Sequence, residues 1–539
     1  MAIVYGLFFG EHNFSTTLIV DGEVKYATEN EKITRIKSAH SFDETSYASL
    51  SAIENASGIK LEDADLVAIG DVTILHKETL SGENQRKVDY LLNRIKKCKK
   101  VSVYTHHQAH AASSYYLSGF KEKTLVVTSD GGSFENVDGS IWMAEDENLH
   151  LFKTLYRVEN GSIGNLWSNM CGPFGFTGLK DEGKIMGMAA NGRFVQELFD
   201  SFLQITEYNN NFGFTNGENT DLINYTLDQM WEDGWFSTQT KKEIVAYNLQ
   251  KSLEHNLKKY FTHLKQSFPQ YKKLCLAGGV FANVKANQVV NEECGFDEIF
   301  IAPPMGDEGV AFGAAILGSK ELGDWKHQPT KDVFFGLEYS NEECINESKN
   351  WNVEIVGKDT DYDLIAQLLT QRKIIAVHKG KLEFGPRALG HRSVMMETTH
   401  PENHVYLNKR FGRNEVMPFA PFVMKEKANK VFHITKSTFA AEFMTLCYST
   451  REEWEDKIPA VIQKSDKTAR PQLVTEEKHN FFYNVVKAYD KITGIPVLLN
   501  TSFNGHGEPI IDTPSQAFSH LDKGSIDYLV IGDKIYKKK

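Results

Sequence analysis

VSVYTHHQAHAASSYYLSGF, residues 101–120, delivers several imidazoles to the start of one helix. Val101 to Thr105 has the character of a short buried strand, and an Ala/Ser-rich helix follows and stops near Gly119. With the helix under way by His106, His106 and His110 stand one turn apart on one face, and His107 lies about a quarter-turn round. That spacing suits metal ligands. Further on, TLVVTSDGG ends a strand at Asp130 in a glycine turn, and PPMGDEG sets Asp307 at the N-terminus of another apolar helix. Two neutral imidazoles and two carboxylates make a mixed N/O set for a divalent first-row metal. Taken alone, a His-rich helix start is read as capping and solvation, but here it is accompanied by two carboxylate-bearing turns.

The chain has 539 residues, which predicts at least two domains and room for an enzyme. Sixty Lys and Arg against 71 Asp and Glu argue against a nucleic-acid or anionic-membrane surface as the main partner. Six cysteines without CxxC pairing fit a reducing cytosol, so a cytoplasmic location is expected. The opening apolar run MAIVYGLFFG has no basic flank and is broken by Glu11 and His12; it reads as a first strand. No uncharged apolar run reaches the length a bilayer needs.

Residues 3–30 alternate as a β-meander with a hairpin signal at Asp21-Gly22, followed by a helix over 43–57 and a strand at LVAIGD. TLVVTSDGGSFENVDGSIWMAE repeats the theme of strand, polar glycine turn, strand. This duplicated turn, with KLCLAGGVFANVKANQ after it, resembles the actin-like ATPase superfamily, in which such turns hold nucleotide phosphates. A helix is expected over 241–268 as plain core packing. The pattern loosens after Leu322, and a second alternating region has a helix at 361–372 and a strand at IIAVHKG. That region concentrates Arg387, Arg392, Lys409, Arg410, Arg413 and Arg470 in loops beside glycine and proline, as bidentate capture of phosphate or carboxylate requires. A solvated basic face is the competing account of Lys409 and Arg410.

Taken in order, GEHNFS, HHQAHA, SDGG, KDEGKIMGMA, LAGGVFAN, MGDEG, EFGPRALGHRS, MPFAP, LNTSFN and EPI resemble the NodU/CmcH family of O-carbamoyltransferases nearly from end to end. The resemblance implies an α/β chain: an actin-like ATPase (Kae1-like) N-terminal domain over 1–350 for carbamoyl transfer, then a YrdC/Sua5-like α/β C-terminal domain over 351–539 for carbamoyl phosphate. Two departures are visible. Asn13 stands where the family usually has Asp, and Gly412 where a basic residue is common.

In such enzymes carbamoyl phosphate is cleaved, carbamate reacts with ATP to give carbamoyl adenylate, and the carbamoyl group passes to a hydroxyl. His12 matches the family's proposed base, and Arg387, Arg413 and Arg470 fall to the carbamoyl-phosphate step. Gly131, Gly132, Lys184, Gly278, Gly279 and Asn283 would line ATP, with Mg2+ as its counter-ion. The family implies Fe2+ on His106, His110, Asp130 and Asp307, while the ligand set alone equally admits Mn2+ or Zn2+. The expected partners are carbamoyl phosphate, ATP and a hydroxyl-bearing small molecule, with a homodimer as an open assembly state. Residues 34–41 and 165–180 are candidates for the acceptor pocket on position alone. Three other readings compete. A sugar kinase of the same superfamily has no use for HxxxH, and carbamoyl or threonylcarbamoyl transfer to a macromolecule is disfavoured by the acidic balance. A non-catalytic actin-like scaffold would not release pyrophosphate in response to carbamoyl phosphate.

Overall fold

Apolar runs between turn signals make residues 3–29 into three antiparallel strands, β1 (Ile3–Phe8), β2 (Ser15–Val20) and β3 (Glu23–Glu29). Asp21 and Gly22 close the β2–β3 hairpin with both residues in the left-handed region, φ 52° and 75°, as a type I′ turn requires. The computed structural model describes residues 1–539 apart from 11, 39–46, 72–81, 134, 158–161, 215–219 and 414–416.

β4 (Leu66–Ile69) joins β1 in parallel and β5 (Val101–Val103) joins β4 in parallel, giving the order β3-β2-β1-β4-β5. The next half repeats this plan. β6 (Thr124–Ser129), β7 (Val137–Glu145) and β8 (Asn148–Tyr156) form a second antiparallel meander. β9 (Lys273–Ala277) and β10 (Glu298–Ile301) then extend it in parallel, in the order β8-β7-β6-β9-β10. The same strand order occurring twice is the duplicated actin-like arrangement, and it is visible in the pairing itself. The expected helices occur as Ala48–Ser57 and Gln239–Ser267, the latter capped by the Thr238 hydroxyl on the Lys241 amide; positions 43–46 of the first lie outside the described residues.

Contacts divide the chain into two units, Met1–Asn30 with Ser38–Thr330, and Glu31–Lys37 with Lys331–Lys539. Residues 331–350 make their bonds within the second of these units. Gly336 donates its amide to Leu382 O at 2.8 Å, Tyr339 donates its hydroxyl to Asp512 at 2.9 Å, and helix Asn341–Ser348 packs on helix Pro514–Asp522. The short segment 31–37 was not foreseen as part of this unit.

The second unit is also mixed α/β. Its strands are β11 (Val353–Lys358), β12 (Ile375–His378), β13 (Arg392–Met396), β14 (Ala420–Met424), a small ribbon of β15 (Tyr448–Ser449) and β16 (Thr468–Ala469), β17 (Gln472–Val474), β18 (Val497–Ser502), β19 (Tyr528–Ile531) and β20 (Lys534–Lys538). Eight of them form one sheet in the order β11-β20-β19-β12-β13-β18-β14-β17, parallel at β12/β19 and β14/β17. Helices Tyr362–Thr370 and Asn480–Thr493 cover it, burying Ile365, Leu369, Phe482, Val485 and Tyr489 against Val377, Met395, Phe422 and Leu498. Full burial of each such side chain stabilises by about 1.5–3 kcal/mol.

His479 and His520 are buried in this unit, and burial pushes both imidazoles down to about 4. The His479 Nδ1 accepts from the Thr475 amide at 3.3 Å, a bond that needs the neutral ring. Unfolding restores the ordinary histidine value of about 6.5. The unfolded chain therefore takes up protons below about pH 6.5 that the folded unit refuses until near 4, so folded stability falls as pH drops through that window. His479→Gln cannot protonate, and its stability relative to the parent should rise as pH falls from about 6.5 to about 4. Thermal unfolding of both proteins across that range checks this; a pH-independent difference contradicts it.

Candidate metal centre and active site

Each part of the candidate site leaves the carboxyl end of a strand. His12 follows β1, Asp71 follows β4, His106 follows β5, Asp130 follows β6, Gly278 and Gly279 follow β9, and Asp307 follows β10. Strands β1, β4 and β5 are parallel, as are β6, β9 and β10, so these ends gather as ligand sites in α/β sheets do. The Thr105 hydroxyl caps helix His106–Ser118 by accepting the Gln108 amide at 3.2 Å, which starts the helix at His106. Asp307 stands at the N-cap of helix Glu308–Glu321, where the helix dipole favours a carboxylate. The two helices pack closely. A Cβ at Gly313 would lie 1.8 Å from the Ala109 carbonyl oxygen, so only glycine permits this approach.

His110 Nε2 lies 3.1 Å from His106 Nε2, 3.2 Å from Asp130 Oδ2 and 3.6 Å from Asp307 Oδ1. His106 Nε2 is 3.5 Å from Asp307 Oδ1 and 3.9 Å from Asp130 Oδ2. All four ligand atoms fall within 4.8 Å of one another, the one such group of His, Cys, Asp and Glu side chains among the described residues. The five separations, 3.1–3.9 Å, bracket the edge of a tetrahedron whose corners lie about 2.0–2.2 Å from a shared centre. Asp71 accepts from His106 Nδ1 at 3.1 Å, which leaves the Nε2 lone pair facing the cluster. Asp71 was not foreseen; its signal was only a carboxylate ending the LVAIGD strand.

The electrostatics fit a cation. Burial alone would lower the imidazoles, but the carboxylates of Asp307, Asp130 and Asp71 outweigh it and hold His106 well above its ordinary value. His110 is also raised, with Asp130 and Asp307 overcoming burial. Burial would raise the carboxyls, yet His106 and His110 hold Asp130 well below the usual range, and His106 and His12 help lower Asp307 despite repulsion from Asp130. Two partly buried carboxylates thus borrow positive charge from two buried imidazoles, and with neutral imidazoles the set carries the charge that balances a divalent ion. Glu308 adds nothing to this balance. Burial, then Glu29, pushes its carboxyl up to about 8, so it is uncharged near neutrality.

His107 faces away. Its Nε2 donates to Val137 O at 2.9 Å, and its Nδ1 accepts from Thr128 Oγ1 at 2.8 Å. Thr128 then accepts from Ser140 at 2.7 Å, and Ser140 from Trp142 Nε1 at 2.7 Å, which satisfies the whole chain. Burial pushes this imidazole down to about 3, so it is a neutral structural histidine.

His12 reaches the cluster, with Nε2 3.6 Å from Asp307 Oδ2. Gly131 and Gly279 donate their amides to Asp130, at 2.7 Å to Oδ1 and 3.1 Å to Oδ2. Gly132 has φ 130°, and Gly278 has φ 103° and donates to Met305 O at 2.7 Å. Lys184 is held at Asp181 Oδ1, 2.8 Å away, over the Phe176 ring. Asn283 caps helix Val284–Glu293 through the Ala286 amide and exchanges hydrogen bonds with Gln250. Of the candidate acceptor segments, 39–41 lie outside the described residues, and 165–180 begin within helix Ile163–Phe174.

In the second unit, a relay of hydrogen bonds links the segments bearing the three arginines. Asn500 donates to Ala388 O at 3.0 Å, Gln472 donates to Leu389 O at 2.7 Å, and Arg413 donates to Thr501 Oγ1 at 3.0 Å and Ser502 O at 2.6 Å. Arg470 stands two residues before Gln472, and burial lowers its guanidinium's value. Gly412 closes helix Asn403–Phe411 with φ 63°, which accounts for glycine at that position.

Family models for the carbamoyltransferase N-terminus and C-terminus match residues 72–316 and 366–538. An uncharacterized protein of Methanocaldococcus jannaschii is 30% identical over 98% of this chain and 98% of its own length. Nodulation protein NolNO of Sinorhizobium fredii is 30% identical over 98% of this chain and 79% of its own, and nodulation protein NolO of Bradyrhizobium diazoefficiens is 31% identical over 80% and 79%. The chain belongs to the carbamoyltransferase family and is a carbamoyltransferase enzyme. No helix among the described residues is long and apolar enough to cross a membrane.

Loss of a ligand and loss of its orienting partner should differ in degree. His110→Ala should abolish tight uptake of Fe2+, Mn2+ and Zn2+, whereas Asp71→Ala should weaken it by about 10- to 100-fold. Equilibrium dialysis with elemental analysis reads both. Full metal content in His110→Ala would exclude the cluster as the binding site.

Proposed function

We propose that this enzyme is an ATP-dependent O-carbamoyltransferase that moves the carbamoyl group of carbamoyl phosphate, by way of carbamoyl adenylate, to a hydroxyl of a small natural product or sugar. The observation that carries this reading is the cluster of buried His106 and His110 with Asp130 and Asp307, with His12 at its edge. A divalent cation on the four ligands would supply Lewis-acid polarisation of phosphoryl oxygens, with Fe2+ as the family's implication.

The chain's own residues supply the rest. Arg387, Arg413 and Arg470 bind carbamoyl phosphate in the second unit through charge-assisted hydrogen bonds. Water cleaves it to carbamate and phosphate, and carbamate displaces pyrophosphate from ATP to give carbamoyl adenylate. In the first unit the acceptor oxygen bonds to the carbamoyl carbon, the anhydride bond to AMP breaks, and AMP leaves with the electron pair. His12 takes the acceptor's proton as the bond forms. Its Nδ1 is buried with no hydrogen-bond partner among the described residues, unlike the doubly bonded structural His107. Gly131 and Gly279, whose amides hold Asp130, carry no side chain and so allow close approach of the nucleotide.

Two variants separate the steps. Arg387→Ala should slow carbamoyl-phosphate-dependent pyrophosphate release by about ten- to more than hundredfold, yet still transfer from supplied carbamoyl adenylate. Equal loss of both steps contradicts the division of labour. His12→Asn should keep adenylate formation and adenylate affinity and slow transfer by about 10²- to 10⁴-fold. Transfer at the parental rate, with an acceptor of ordinary acidity, removes His12 from the mechanism.

A further inference from the structure

Residues 31–37 are nearly three hundred positions from the rest of the unit they belong to. Within that unit Lys32 is almost completely buried, and its ammonium donates to Gly385 O at 3.2 Å. Arg35 donates from Nη1 to Ile510 O and from Nη2 to Pro509 O, each at 2.6 Å. Its own backbone is left-handed, φ 66°, an unfavourable state for a branched-chain-free but bulky residue that surrounding contacts must hold. Leu382, Ala388 and Ile510 form one small apolar cluster, so the two loops that the segment clamps also pack on each other.

These are the loops that matter for anion capture. Gly385 lies two residues before Arg387, in a loop whose Leu389, His391 and Arg392 amides converge on Glu383 Oε1 at 2.9, 2.7 and 3.0 Å. The 508–510 loop returns to Phe503, which accepts the Ile511 amide at 2.9 Å, next to the Ser502 carbonyl that receives Arg413. The buried ammonium holds one backbone carbonyl and faces Glu31 at 3.6 Å, and the guanidinium holds two and faces Glu508 at 3.9 Å; where only packing is needed, apolar side chains would fill the same space at lower cost. We propose that the 31–37 segment is the positioning element of the second unit's anion site, with Lys32 setting the Arg387 loop and Arg35 setting the loop beside the Arg413 contact. Neither touches substrate; they act through the loops. The assignment rests on Arg387 and Arg413 binding carbamoyl phosphate, as argued above.

The test uses the full chain. Lys32→Met keeps the apolar stem and removes the charge, and Arg35→Gln shortens the clamp. Each should raise the KM for carbamoyl phosphate in pyrophosphate release by about tenfold or more while transfer from supplied carbamoyl adenylate stays within about twofold. Lys32→Arg should restore the parental KM. Hydrogen exchange gives a second reading without activity: the Leu389, His391 and Arg392 amides should exchange faster in Lys32→Met, and the Ile511 amide faster in Arg35→Gln. A KM within about twofold of the parent in both variants, with unchanged exchange, overturns the proposal. Equal loss of transfer from the adenylate also overturns it. Should Lys32→Met not fold, Arg35→Gln carries both readings. Arg387→Ala separates the two levels. If it leaves pyrophosphate release at the parental rate, the anion-site reading fails, and exchange alone then decides whether the segment positions these loops.

Discussion

The contact between Gly313 and the Ala109 carbonyl sets the spacing of two helices, and the rest of the first unit's site inherits that spacing. Helix His106–Ser118 contributes two imidazoles from its first turn and a half, and helix Glu308–Glu321 begins directly after Asp307. A side chain at 313 would force the helices apart by more than the slack between hydrogen-bonded and separated ligands. On its other side the second helix meets β1, where a Cβ at Gly6 would lie 2.2 Å from Ala311 O. The helix is buried almost all round, as its apolar sequence requires, and is pinned from two sides. Ligand geometry is thus a packing consequence of small residues.

Charge imposes the second constraint. Asp130 and Asp307 are two carboxylates in a low-polarity setting, and each is tolerated only because imidazoles face both. The protons on His106 and His110 and a divalent cation are alternative ways to meet the same demand. Glu308, next to Asp307, adds no further negative charge, because burial keeps its carboxyl neutral. Asp71 then decides which nitrogen of His106 faces inward.

What was legible in the sequence follows from periodicity. HxxxH has a fixed helical meaning, and Asp130 and Asp307 each sit in a glycine-rich turn, SDGG and MGDEG, beside a strand or a helix start, so these four residues are legible as a group. Asp71 could not, because one carboxylate after a strand has no spacing partner. The third strand of the second meander was hidden by its turn, where Asp146 and Glu147 take φ 50° and 61° without the glycine that usually marks such a hairpin. Lys184 and Asn283 were read as nucleotide contacts by type and position. In the structure Lys184 makes an i,i+3 ion pair with Asp181 and Asn283 caps a helix, local bonds that a residue list does not reveal. The segment 31–37 carries no composition shift, and only its distant bonding partners place it.

The Asn13 departure has a structural reading of the same kind. The residue after His12 sits at φ 58°, a conformation that Asn adopts readily, so the turn keeps its shape without a carboxylate. The carboxylate beside His12 comes from Asp307 instead. Its Oδ1 faces His106 and His110 at 3.5 and 3.6 Å, while its Oδ2 faces His12 at 3.6 Å. One side chain therefore borders both the ligand cluster and the imidazole assigned to take the acceptor's proton. A shift in Asp307 on one side must be felt on the other, because the two oxygens of a carboxylate share one charge and one plane. On this geometry the charge state of the cluster and the orientation of His12 are set together, and the loss of a carboxylate at position 13 costs the site neither its turn nor its anionic neighbour.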